Sequence, residues 1–134
     1  MKQRVLKLKT VEKLKPFHID DRGEMIQLLP NQLKVKSLLL IRSKKNSIRA
    51  NHYHKKDLHC VYLLEGKYEY LEKDMRKFKT RTSKRTIAPG DLVTTFPMHA
   101  HAMRFLENSV WIVITTEPRY QKNYEKDTIR LKLI

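Results

Sequence analysis

From residue 33 onward, apolar and polar residues alternate in short runs broken by turn residues. No window of ten or more residues carries a helical repeat with a clear start and stop. Residues 33–42, 58–71, 91–96, 101–106, 110–116 and 128–134 read as strands, with 58–71 folded back on itself at Glu65-Gly66. Pro89-Gly90 and Glu107-Asn108-Ser109 supply further turns. The centre of 33–42 (SLLLI) is expected to be buried. A short mixed strand around Val5–Lys9 is expected at the start. Many short strands at close spacing in 134 residues point to an all-β sandwich or barrel. That length suits one core, and neither a repeat nor a Ser/Gly-rich linker divides it, so one domain over 1–134 is expected.

The 29 Lys and Arg outnumber the 14 Asp and Glu, giving a net charge of +15. Such a field attracts nucleic acid, anionic lipid headgroups or phosphorylated small molecules, and says nothing about fold. The single cysteine, Cys60, excludes an intramolecular disulfide and fits a reducing compartment. It is expected to be an inert buried thiol in mid-strand. No apolar run approaches the roughly 20 residues that span a bilayer, and MKQRVLKLKT lacks the continuous apolar stretch of a signal peptide. A cytoplasmic protein with no membrane partner is expected.

Residues 73–85 hold seven cations against one acid, Asp74. Their alternation suits a solvent-facing edge or hairpin, where lysines oppose sheet-to-sheet aggregation. Only Phe78 offers a base-stacking ring, so nucleic acid is the less favoured partner.

Five of the six histidines fall in two clusters, His52-Tyr53-His54 with His59, and His99-Ala100-His101. In a strand, residues two apart share a face. His52 and His54 therefore project together, as do His99 and His101 if extended. Two imidazoles on one face are half a site for a divalent transition metal such as Zn, Fe, Ni or Cu. His59 and His101 are candidates to complete it. His18 reads as an ordinary surface or core residue, and His99 as pocket-lining or exposed.

The spacing around these histidines resembles the two motifs of the cupin superfamily. The first, over about 46–66, reads His52-x-His54, four residues, His59, six residues, Gly66. The second, over about 89–105, opens on Pro89-Gly90-Asp91 and passes Pro97 to His101. The resemblance implies a single jelly-roll barrel, a double-stranded β-helix. It also implies a metal held by His52, His54, His59 and His101. This sequence departs from the family at several points. His59 stands where a glutamate is usual. The glycine that opens the first motif is missing near Asn46, and the one in the second turn is Met98 or His99. Either four neutral nitrogens bind the metal, or His59 turns away and three histidines bind.

Further upstream, Asp20-Asp21-Arg22-Gly23-Glu24 resembles the opening of cupins that process nucleotide-linked sugars, including 3,5-epimerases and 3,4-ketoisomerases. Arg49-Ala50-Asn51-His52-Tyr53-His54-Lys55 resembles a strand of the same proteins and of the cupin domain in capsular-polysaccharide reductases, with Ala50 in a glycine's place. The resemblance implies an epimerase or isomerase of a nucleotide-activated sugar. His52, His54 and His59 are the catalytic candidates, and Arg49, Arg104 and His99 the substrate contacts. A homodimer pairing through residues 131–134 is expected as well.

Removing a proton alpha to a ketone needs a base near neutral pKa, an enolate-stabilising group and an acid. Histidine suits the base and tyrosine the acid, but Tyr53 and Tyr62 alternate away from the histidines. A non-catalytic metal- or small-molecule-binding module, or an oxygenase using the same histidines, is the alternative. Val61, Leu63, Met103 and Phe105 should line the barrel interior, and Trp111 should pack between the sheets.

Overall fold

The computed structural model describes residues 8–134; the expected segment at 5–9 lies largely outside them. Its strands are β1 (Val11–Lys13), β2 (His18–Asp20), β3 (Gly23–Met25), β4 (Ser37–Ser43), β5 (Ile48–His54) and β6 (His59–Glu65). They continue as β7 (Tyr68–Asp74), β8 (Ser83–Ile87), β9 (Asp91–Thr95), β10 (His99–Phe105), β11 (Ser109–Thr115) and β12 (Thr128–Arg130). One short helix, α1 (Gln121–Asp127), precedes β12. No helix among the described residues is long and apolar enough to cross a membrane.

Two five-stranded antiparallel sheets face each other, ordered β1-β9-β6-β11-β4 and β12-β5-β10-β7-β8. Inward residues alternate along each strand as the pleat requires. Val61, Leu63, Val93, Trp111 and Val113 from the first sheet meet Tyr68, Tyr70, Ile87, Met103 and Phe105 from the second. The Trp111 indole N–H donates to Ser43 Oγ at 3.1 Å, which satisfies its polar atom inside the core. Cys60 faces away from His59 and is fully buried, and burial raises its thiol pKa.

Three details depart from the sequence expectation. The leucines of β4 are exposed, Leu38 at 66% and Leu40 at 55%. Among the described residues β4 is an edge of its sheet and none covers its outward side chains. The expected strand at 128–134 ends at Arg130. Beyond it, the amides of Leu131, Leu133 and Ile134 donate to Asn51 of the same chain, rather than lying free as an edge. The third is α1, which no apolar repeat signals. It is too short to be stable alone and is held by what it touches.

The turn at Gly66 is fixed by sterics. Its φ is +100°, and a Cβ there would sit 2.2 Å from Ser109 Oγ and 2.6 Å from the Asn108 carbonyl. Elsewhere the chain tolerates left-handed backbone without glycine: Asn46 (φ 72°), Ala50 (72°), Asn51 (55°) and Met98 (68°). Asn46, Ala50 and Met98 are among the positions where the sequence resemblance leads one to expect glycine. Met98, not His99, takes the turn conformation of the second motif.

Candidate active site

β5, β6 and β10 bring four histidines together inside the barrel. Ring centroids lie 4.6 Å apart for His52–His54, 4.8 Å for His52–His101, 5.0 Å for His59–His101 and 5.6 Å for His54–His59. All four are buried. The register explains the meeting. His101 pairs with His52 across β10–β5, and the next pair is Ala102 with Ala50, so Asn51 is one residue extra. This bulge turns the strand and lets Arg49 and His52, three apart, both line one cavity.

Burial holds the imidazoles of His52, His54 and His101 neutral. Desolvation, then the electrostatic cost of sharing the pocket with His59 and Arg119, keeps His52 down at about 4. Desolvation with His59 and His52 keeps His54 at about 3. Desolvation, His59 and His52 likewise push His101 well below the usual histidine value. Neutral imidazoles are the form that binds a metal. Each ring is also oriented. His101 Nδ1 lies 3.0 Å from the His99 carbonyl, which sets its tautomer and frees Nε2. His54 Nδ1 lies 3.2 Å from Thr128 Oγ1, and Arg119 Nη1 reaches its Nε2 at 3.5 Å.

His59 is placed differently. Its Nδ1 lies 3.0 Å from Asp57 Oδ2, and both groups are buried. Asp57 also accepts from the amides of Thr116 and Glu117 and from Arg119 Nη2 at 3.1 Å. Burial alone would raise the Asp57 pKa. The hydrogen bond from His59 and the nearby cations outweigh it and hold the carboxyl below its ordinary value. Asp127, the last residue of α1, accepts the amides of Lys56 and Asp57 and so fixes the loop that carries this carboxylate.

Two potential ligand sets follow, His52–His54–His101 and His54–Asp57–His59, each with its ligand atoms within 4.8 Å of one another. Around them opens a cavity of about 320 Å³, lined by Arg49, His52, His59, His101, Met103, Trp111, Arg119 and Tyr124 among others. The Tyr124 hydroxyl is 3.4 Å from His52 Nδ1, and its ring lies 5.2 Å from the Arg119 guanidinium.

Of the expected substrate contacts, Arg49 lines this cavity, with its Nε donating to Ser43 Oγ. Arg104 and His99 do not line it. Arg104 follows Met103 and so points to the other side of β10, with its nearest acid, Glu69, 3.8 Å away. His99 is turned to Glu72 and Arg76. Three residues were missed: Asp57, Arg119 and Tyr124. Asp57 stands two residues before His59, a spacing that puts extended neighbours on one face, so that signal was available. Arg119 and Tyr124 come from the segment leading into and through α1, where no periodicity announces them.

No family model matches the chain, and neither does any curated protein sequence. Solved structures do. A 3,4-ketoisomerase, QdtA from Thermoanaerobacterium thermosaccharolyticum, superposes with a TM-score of 0.69 at 24% identity, over 92% of this chain and 88% of that one. The epimerase RmlC from Legionella pneumophila gives 0.73 at 14%, over 92% and 72%. CapF from Staphylococcus aureus gives 0.64 at 16%, over 90% of this chain but 34% of that longer one. All three share the double-sheet barrel. The chain has the cupin fold. Within this fold His52, His54, His59 and His101 converge, and the short helix α1 completes the cavity wall.

Proposed function

We propose that this cupin acts on a nucleotide-linked keto sugar, moving a proton at the carbon next to the carbonyl, as an epimerase or isomerase. The observation that carries this reading is the buried His59–Asp57 pair on the same cavity as the Tyr124 phenol. An ionised carboxylate on Nδ1 fixes the tautomer that leaves Nε2 free to accept a proton, and stabilises the imidazolium that results. His59 takes the alpha proton, and the C–H electron pair moves onto the carbonyl oxygen as an enolate. Arg119 is the cation placed to stabilise that oxygen. Tyr124 then donates its proton to carbon. Delivery to the same carbon from the other face gives the epimer; delivery to the neighbouring carbon, after the enediol shifts its hydroxyl proton, gives the isomer. His52, 3.4 Å from the phenol, is placed to exchange that proton afterwards.

The neighbours in fold support the substrate class. One QdtA structure is described in complex with TDP-4-keto-6-deoxyglucose, and the Legionella RmlC in complex with dTDP-4-keto-L-rhamnose. Arg49, with its terminal nitrogens uncommitted to any carboxylate among the described residues, suits a diphosphate.

The three neutral imidazoles of His52, His54 and His101 also fit a divalent transition metal, which at such a His₃ set keeps open positions. When bound, such an ion supplies Lewis-acid polarisation of a carbonyl oxygen. This same set favours a second reading, a metal-dependent binding module or small-molecule oxygenase. Metal analysis distinguishes the two: tightly held redox-active iron or copper supports the oxygenase.

The test is incubation with nucleotide-linked 4-keto sugars in deuterated water. Deuterium entering at carbon 3 or 5, or at carbon 4 of an isomerised product, supports the proposal. Intact, unlabelled substrate across the available nucleotide sugars removes it.

A further inference from the structure

The β7–β8 connection presents a feature the barrel does not need. The last cross-strand pair is Glu72 with Ser83, and the chain between them projects beyond it. Phe78 sits in this loop with 90% of its surface exposed, the most exposed large apolar side chain of the described residues. The loop is ordered in its exposure. Lys77 N donates to the Asp74 carbonyl and Thr80 Oγ1 to the Lys77 carbonyl, while Lys79 adopts φ 60°. The Lys79 ammonium lies 5.6 Å from the Phe78 ring.

The charge around that ring is of one sign. From Met75 to Gly90 there are six cations, Arg76, Lys77, Lys79, Arg81, Lys84 and Arg85, and no acid. Asp74 pairs with Arg76, and Glu69 with Lys84. Among the described residues, no carboxylate is within ion-pair reach of Lys77, Lys79, Arg81 or Arg85. These cations exceed what protecting the β8 edge requires, because Lys77, Lys79 and Arg81 lie in the loop and outside the strand.

We infer that the Phe78 loop is a docking surface for an anionic lipid membrane. A phenyl ring has no hydrogen-bonding group, so its favourable burial is in a hydrocarbon layer, while lysine and arginine stems reach back to phosphates above it. Juxtaposed cations add attraction to an anionic leaflet that falls off within a Debye length. Single-stranded nucleic acid would instead call for several stacking rings along a basic groove, and here one ring stands at a loop tip. That no helix among the described residues could span a bilayer bears on crossing one, not on touching one.

The test is co-sedimentation of the full chain with vesicles of phosphatidylcholine alone or mixed with phosphatidylserine. Binding is expected only to the anionic vesicles and is released by high salt. Phe78→Ala lowers the partition coefficient roughly tenfold. The triple variant Lys77→Gln, Lys79→Gln, Arg81→Gln lowers it further, while Lys44→Gln with Lys45→Gln, on the β4–β5 connection, changes it little. Phe78→Trp gives a blue-shifted emission on binding. Four outcomes overturn the inference: no binding to anionic vesicles; equal binding to neutral ones; equal losses from the 44/45 and 77/79/81 changes; or an unshifted emission from the Phe78→Trp variant. Tight binding of an RNA oligonucleotide through these residues, with vesicles ignored, would assign the loop to nucleic acid instead.

Discussion

His59 Nδ1 lies 3.0 Å from Asp57 Oδ2, in a pair that water scarcely reaches. Replacing Asp57 by Asn keeps an acceptor for the Thr116 and Glu117 amides but removes the charge that supports an imidazolium. Deuterium incorporation into a keto-sugar substrate should fall roughly a hundredfold or more, with the circular dichroism unchanged. An undiminished rate would take His59 out of the base role.

Tyr124→Phe separates the two halves of the reaction. The base can still remove and return a proton on its own face, so solvent exchange persists. Inverted or isomerised product should drop about a hundredfold, because the second proton has lost its donor. Equal losses of exchange and product would mean that Tyr124 serves substrate binding instead.

Metal content discriminates among the four histidines. His101→Ala removes one of three mutually close nitrogens, and bound zinc after dialysis should fall to background. His59→Ala should leave it near the wild-type level, since His59 is engaged by Asp57. The reverse pattern, measured by elemental analysis, would move the site to the His54–Asp57–His59 set.

Acid should destabilise the metal-free protein earlier than its carboxylates alone require. His52 is held at about 4 and His54 at about 3, against 6.5 when unfolded. Below about 6.5 the unfolded chain therefore binds more protons than the folded one, and stability declines as pH falls. The contribution of these rings is complete above that value and lost through about 4 and then 3. The melting temperature should be level above neutrality and fall between about pH 6 and 4. A flat profile there would show the rings to be better solvated than their burial indicates.

Left-handed backbone gives a stability test in both directions. Ala50→Gly and Met98→Gly each relieve a Cβ clash of about 1–2 kcal/mol, partly offset by glycine's entropy, so each should stabilise by roughly 0.5–1 kcal/mol. Gly66→Ala should cost more than about 3 kcal/mol, since its Cβ meets backbone as well as a side chain. Denaturant midpoints measure all three.

Strand positions and the histidine face were legible because period-two patterning and motif spacing are local properties. β6, β9, β10 and β11 fall within two residues of their expected bounds, and β7 runs three residues past its expected end. The exposure of Leu38 and Leu40 was not legible, because an edge and a centre strand carry the same apolar run, and only the sheet order separates them. Asp57 could be read from its spacing to His59. Arg119 and Tyr124 could not: α1 takes its position from Asp127 bonding to the 55–57 loop, a contact some seventy residues apart in sequence.

The extra residue in β5 has a consequence for comparing this chain with others. Arg49 and His52 differ by an odd number of positions, so a regular strand would seat one in the cavity and evict the other. Removing Asn51 would leave Arg49 and His52 two positions apart, so a regular strand would seat both at the wall a ligand meets with no bulge needed. Around residue 51, a one-residue gap between two homologues is therefore compatible with the same ligand chemistry, and what would evict one of the two side chains is straightening the strand with Asn51 still in it.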